Sequence, residues 1–141
     1  GVLDWEMATL GDPLMDLGSA LAYWVEETDH HIFKSTRRQP TNLKGMFTRK
    51  EVVKYYLDKT GLHTDNWTFY EVFGIFRLAV IEQLIYYRKY HKQTNNPAFK
   101  DFWIVIHALH IRALKLIGKQ KFEANEIAQK YISKLQEILA K

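Results

Sequence analysis

Val2-Leu3-Asp4-Trp5-Glu6, followed by Gly11-Asp12-Pro13-Leu14-Met15-Asp16-Leu17-Gly18, is the stretch on which the reading of this chain turns. Val2-Leu3 is a short apolar run that reads as the end of a buried strand, with Asp4 delivered at its tip. Thr9-Leu10-Gly11 reads as a turn and Asp12-Pro13 as the opening of a helix. There the Asp12 carboxylate caps free N–H groups, and Pro13 stands where a missing N–H costs nothing. Four carboxylates, Asp4, Glu6, Asp12 and Asp16, fall within thirteen residues, and no Lys or Arg occurs before Lys34. Such a cluster repels itself unless a cation or backbone donors hold it together. Hard oxygen ligands at a strand end suit Mg²⁺, which takes one or two protein carboxylates and shares its remaining positions between water and substrate phosphates. For Asp12 an ordinary capping role competes with that one. Asp4, directly after a strand and before an aromatic residue, has no capping job.

These two segments resemble the C-lobe signature of the aminoglycoside phosphotransferase and choline kinase-like superfamily, a strand ending in Asp followed by G-(D/H)-P-x-x-D-L-(A/G). Asp65-Asn66-Trp67-x-Phe69-Tyr70 and Phe76-Arg77-Leu78-Ala79-Val80-Ile81 resemble the subgroup whose kinase-like domains are fused to acyl-CoA dehydrogenases. The resemblance touches residues 1–90. It implies a protein-kinase-like phosphotransferase that uses ATP and Mg²⁺ to phosphorylate a hydroxyl of a small molecule. It also implies that Asp4 holds the metal on the nucleotide phosphates and that Asp16 braces the backbone of the catalytic loop. Glu6, at a position that varies in the family, is a second candidate metal contact. The family's H-G-D-x-x-x-x-N segment and its nucleotide-binding N-lobe are not in these residues. The expectation is therefore a C-terminal part of a larger enzyme, partnered by the N-lobe of its own chain and inactive alone.

Length and composition agree with one globular unit. The chain has 141 residues, 47% hydrophobic and 14% aromatic, which excludes a disordered chain and allows a sizeable core. No apolar run approaches the roughly 20 residues of a bilayer-spanning helix. No signal peptide is visible, and with no cysteine there is neither disulfide nor thiolate metal site, which fits a cytoplasmic setting. Net charge is +4, unevenly spread: residues 1–27 hold six acids and no Lys or Arg, leaving twenty bases against ten acids beyond them. An acidic head and a basic body suit a lobe that holds metal and attracts an anionic substrate.

Apolar periodicity predicts about five helices. The first runs from Asp12 to about Glu27 with Leu14, Leu17, Leu21, Trp24 and Val25 on one face, and Gly18 and Ala20 leave room for a neighbouring backbone. Residues 28–47 show no period, and the pair His30-His31 lacks a third ligand nearby. Lys34, Arg37, Arg38 and Lys44 are either solvated or contacts for an anionic substrate. Thr48-x-x-Glu51 is a capping box and Gly61 a helix stop. Asn66 caps the longest helix, about Trp67 to Lys92, with Phe69, Val72, Phe73, Phe76, Val80, Leu84 and Tyr87 as its core stripe. Arg77 and Glu82 inside it read as a buried pair or as snorkelled stems rather than as substrate contacts. The run Tyr86 to Lys92 reads as a helix end with dipole-matched bases rather than a nucleic-acid contact. Asn96-Pro97 opens a helix to Gly118, and a last amphipathic helix over about 122–139 carries Ile127, Tyr131, Leu135, Ile138 and Leu139 on one face.

The fold expected is mainly α, the C-terminal lobe of a kinase-like phosphotransferase with a short N-terminal strand remnant. The rival reading is an all-helical basic module that binds nucleic acid or another anionic partner. Val2, Leu3, Trp5, Met7 and Leu10 form an apolar patch that, uncovered, favours self-association.

Overall fold

In the computed structural model residues 8–118 are described. Helices α1 (Pro13–Ala22), α2 (His31–Thr36), α3 (Arg49–Thr60), α4 (Trp67–Tyr90) and α5 (Phe102–Gly118) follow one another, with a 3₁₀ turn at Pro97–Phe99 before α5. The protein is mainly α, and no strand occurs among the described residues. The expected strand end at Val2-Leu3 and the expected last helix over 122–139 lie outside them.

The caps explain where most helices begin. Asp12 accepts the Leu14 N–H at 2.9 Å and Pro13 occupies the first turn. At α3 the Thr48 hydroxyl accepts the Glu51 N–H at 3.3 Å while the Glu51 carboxylate accepts the Thr48 N–H at 2.7 Å, and Gly61 closes the helix with φ 72°. Asn66 caps α4 by accepting the Phe69 N–H at 3.3 Å. Asn96 and Pro97 open the 3₁₀ turn rather than α5 itself.

α1 stops at Ala22, short of the expected Glu27, because the residues that would continue it are used elsewhere. The Trp24 indole N–H donates to the Phe47 carbonyl at 2.9 Å. Buried Thr41 both accepts the Val25 N–H at 3.0 Å and donates to the Val25 carbonyl at 2.9 Å. The aperiodic stretch 28–47 is therefore a fastened connection. It contains the unexpected one-and-a-half-turn helix α2, capped by the His30 ring nitrogen on the Ile32 N–H at 3.4 Å.

The core lies between α1, α2, α4 and α5, around Ala22, Ile32, Ile75, Leu78, Val105, Ala108 and Leu109. α1 and α4 meet backbone to backbone. A Cβ on Gly18 would collide with the Tyr70 carbonyl, and one on Gly74 with the Gly18 carbonyl. Ala20, expected to share that approach, is exposed.

The expected core stripe of α4 is corrected by the structure. α4 buries Gly74, Ile75 and Leu78, while Phe69, Phe76, Val80, Leu84 and Tyr87 are exposed, Phe76 to 64% against 1% for Ile75. At 100° per residue the two sets fall on opposite sides of the helix. The helix is apolar on both, and both neighbours, α1 and α5, pack on the Ile75 side. Arg77 and Glu82 are likewise not a pair: five positions apart they diverge around the helix, Arg77 exposed and Glu82 half-buried.

Candidate functional site

Asp4 and Glu6, the expected metal ligands, lie outside the described residues, and so does the strand end that carries them. The structure does describe the junction that follows. Asp12 serves two donors with its two oxygens, the Leu14 N–H through Oδ1 and the Tyr70 hydroxyl through Oδ2 at 2.7 Å. The Tyr70 hydroxyl, donating to that carboxylate, has its pKa raised above the ordinary phenol value. Trp67 stacks on Tyr70 with ring centres 5.8 Å apart. The Gly-Asp-Pro and Asp-Asn-Trp-x-Phe-Tyr motifs, 58 residues apart at Asp12 and Tyr70, thus meet where α1 and α4 begin. Both oxygens of Asp12 are engaged inside the protein, which favours the capping role over the metal role for this residue.

Asp16 is exposed on the first turn of α1. It lines a hollow of about 270 Å³ with Ser19, Tyr23, Gly74, Arg77 and Ile81. Tyr23, Leu78 and Ile81 also wall a second, larger hollow of about 490 Å³, bounded by Phe33, Arg37, Arg38, Glu82, Phe99 and Phe102 among others. Its walls are aliphatic and aromatic apart from a few groups, of which Glu82 is the most telling. Glu82 Oε2 is buried with no hydrogen-bond partner among the described residues. Burial raises its pKa, and the charge of Arg38 only partly offsets that. Arg38, one of the loop bases, thus faces this carboxyl. Lys34 instead pairs with Glu27 at 3.1 Å, and the Arg37 guanidinium donates to the Lys34 carbonyl at 2.6 Å.

Beside the hollows sits a polar clasp that no periodicity announces. The Arg49 guanidinium forks onto both oxygens of Asp29 at 2.6 and 2.8 Å, reaches Glu26 Oε2 at 3.2 Å and donates to the Trp24 carbonyl at 2.7 Å. The Asp29 pKa ends up lowered. Burial pushes it up, but hydrogen bonds from Arg49 and the Glu26 N–H, with the Arg49 charge, outweigh burial. Arg112 bonds Glu71 at 3.3 Å and lies over the Phe33 ring, 5.8 Å from its centre. The clue in the sequence was limited to Arg49 falling at the first position of a capped helix, which says nothing of partners twenty residues upstream.

Among the described residues no group of three His, Cys, Asp or Glu side chains is arranged to hold a metal. The His30 and His31 rings lie 4.2 Å apart, tilted by 41°, and His30 is spent as a cap. His107 and His110, three apart on α5, differ in exposure; the His107 pKa is lowered by burial and then by His110. No helix among the described residues is long and apolar enough to cross a membrane.

The pattern described as the phosphotransferase enzyme family matches residues 1–51. Acyl-CoA dehydrogenase family member 10 of Mus musculus is 38% identical over 97 residues, which is 67% of this chain and 9% of that protein. Acyl-CoA dehydrogenase family member 11 of Rattus norvegicus is 33% identical over 104 residues, 72% of this chain and 13% of that protein. A probable acyl-CoA dehydrogenase of Arabidopsis thaliana, IBR3, is 30% identical over 94 residues, 62% of this chain and 11% of that protein. The chain thus spans a small fraction, about a tenth, of the relatives it matches. No solved structure matches it. The Gly-Asp-Pro junction lies inside the residues that match the phosphotransferase enzyme family, and the chain is similar, there and beyond, to the acyl-CoA dehydrogenase family members 10 and 11.

Proposed function

We propose that the protein forms part of the C-terminal lobe of an ATP- and Mg²⁺-dependent phosphotransferase that moves a γ-phosphoryl group to the hydroxyl of a small molecule. The observation that carries this reading is the Asp12–Tyr70 bond, which joins two motifs of the family at the foot of the proposed metal-bearing strand. In this reading Asp4 holds Mg²⁺, which would neutralise charge on the phosphates, and Glu6 is a secondary contact. Asp12 and Pro13 set the direction in which α1 leaves that strand. Asp16 braces the catalytic loop.

The hollow of about 490 Å³ is the proposed acceptor pocket. Its volume and apolar walls suit a small organic molecule held by a few polar groups. Glu82 Oε2 offers a buried polar atom that a ligand hydroxyl would satisfy as donor or acceptor, and Arg38 favours an anionic end on that ligand. The residues of this chain do not include the base-bearing H-G-D-x-x-x-x-N segment. The 141 residues alone are accordingly proposed to turn over no substrate, since phosphoryl transfer rests on positioned charges that the remainder cannot replace.

The test is ATP-dependent turnover, read beside a melting curve, in a protein carrying the complete phosphotransferase domain. Asp4→Asn keeps the shape and removes the charge, so it should abolish turnover and leave the melting temperature in place. Glu6→Gln should cost much less, and Asp16→Asn should lower both rate and stability. Near-normal turnover of Asp4→Asn overturns the metal assignment.

A further inference from the structure

α4 carries two apolar faces, and the described residues cover only one. The outward face runs from Phe69 through Phe76, Val80 and Leu84 to Tyr87. A helix that is apolar on both sides is normally covered on both sides. A contiguous exposed stripe of this length marks a contact surface rather than scattered surface residues. Near its N-terminal end the stripe opens into a groove of about 390 Å³ lined by Phe69, Val72, Phe73, Phe76 and Ile117. Ile117 is the penultimate residue of α5. The chain therefore leaves its last described helix inside the groove.

Twenty-three residues follow Gly118. Among them Ile127, Tyr131, Leu135 and Ile138 recur at the spacing of one helical face. At 1.5 Å per residue, residues 122–139 written as a helix reach about 26 Å, and the stripe from Phe69 to Tyr87 is about 27 Å long. We propose that the outward face of α4 is the seat of this chain's own segment 122–139, laid along α4 in the same direction from the Ile117 groove. The proposal accounts for the point of departure, the length and the matching apolar faces with one arrangement. α4 then becomes the central helix of the lobe, covered by α1 and α5 on one side and by the C-terminal segment on the other.

The full 141-residue chain contains no cysteine, which makes the arrangement directly testable. Leu84→Cys with Leu135→Cys, treated with a short bismaleimide, should give a cross-link within one chain. Tyr55→Cys on the exposed side of α3 with Leu135→Cys should give none under the same conditions. A cross-link that joins two chains assigns the face to a second copy and overturns the proposal, as does equal cross-linking of both pairs or none of either. A second measurement is independent of reagent geometry. Phe76→Asp and Leu135→Asp should each lower the melting temperature and raise binding of a hydrophobic dye, and the double variant should be little worse than either single one. Fully additive losses, or no loss from Leu135→Asp, overturn it.

Discussion

α1 and α4 pack against each other, yet they obey opposite rules. α1 is apolar on a single face, and that face, Leu14, Gly18, Leu21 and Ala22, is the one it buries. α4 offers two apolar faces, and the one richer in large aromatics is the one left outside by α1 and α5. For a one-faced helix the periodicity of the sequence identifies the buried side. For a two-faced helix it identifies only that both sides are wanted, and the neighbours decide which is covered by what. The contact between the two helices is decided by glycine rather than by bulk: Gly18 and Gly74 let the backbones touch.

The largest effect should come from the end of α1, where polar contacts rather than an apolar stripe hold the chain. Arg49→Met leaves Asp29 and Glu26 half-buried without their cation, and should cost about 3 kcal/mol in a denaturant titration at neutral pH. The pH dependence has a definite sign. The Asp29 pKa is lowered by folding, so its contribution is present above the ordinary aspartate range and is lost as pH falls through the lowered value. The gap between parent and variant should therefore narrow in acid; a gap that is constant down to the acid limit would show the clasp to be packing alone.

Next comes the joint itself. Gly74→Ala drives a methyl into the Gly18 carbonyl and should cost about 2 kcal/mol, while Gly11→Ala, with open space around it, should leave the melting temperature unchanged or slightly raised. Equal melting temperatures for the two variants would break the account of how α1 meets α4.

A smaller effect, of the opposite sign, is expected on the inner side of α4. Glu82 has its pKa raised by burial, so its contribution is fully present below the ordinary carboxylate range and is lost as pH rises through the raised value. Glu82→Gln should stabilise the protein by about 1 kcal/mol at pH 7 and by almost nothing near pH 4, measured as melting temperature against pH. If the hollow is the acceptor pocket, the same variant should bind acceptor less well, a gain in stability bought with function.

The smallest effect lies at the far end of α4. Lys92 adopts φ 56° while the Gln93 N–H reaches back to the Arg88 carbonyl at 2.8 Å, the left-handed cap that glycine serves best. Lys92→Gly should therefore raise stability by about 0.5 kcal/mol in the same titration. A loss instead would mean that the lysine side chain does more at this end than the backbone strain costs.

Much of the local structure was legible in the residues themselves, because its causes are local. Asp12-Pro13, the Thr48–Glu51 box, Gly61 and Asn66 are satisfied by N–H groups or torsions within a few residues, so each appears in the structure where the sequence places it. The family, too, was carried by short motifs with fixed spacing. What the residues could not disclose is every feature made by partners distant in the chain. Tyr70 reaches Asp12 across 58 residues, Thr41 ends α1 by taking both backbone groups of Val25, and Arg49 closes on Asp29 and Glu26. The exposure of the Phe76 face belongs to the same class. Periodicity measures the angle between side chains on one helix, whereas burial depends on which other helices arrive, and that is settled only when the tertiary structure brings Gly18 against Gly74 and α5 against Ile75.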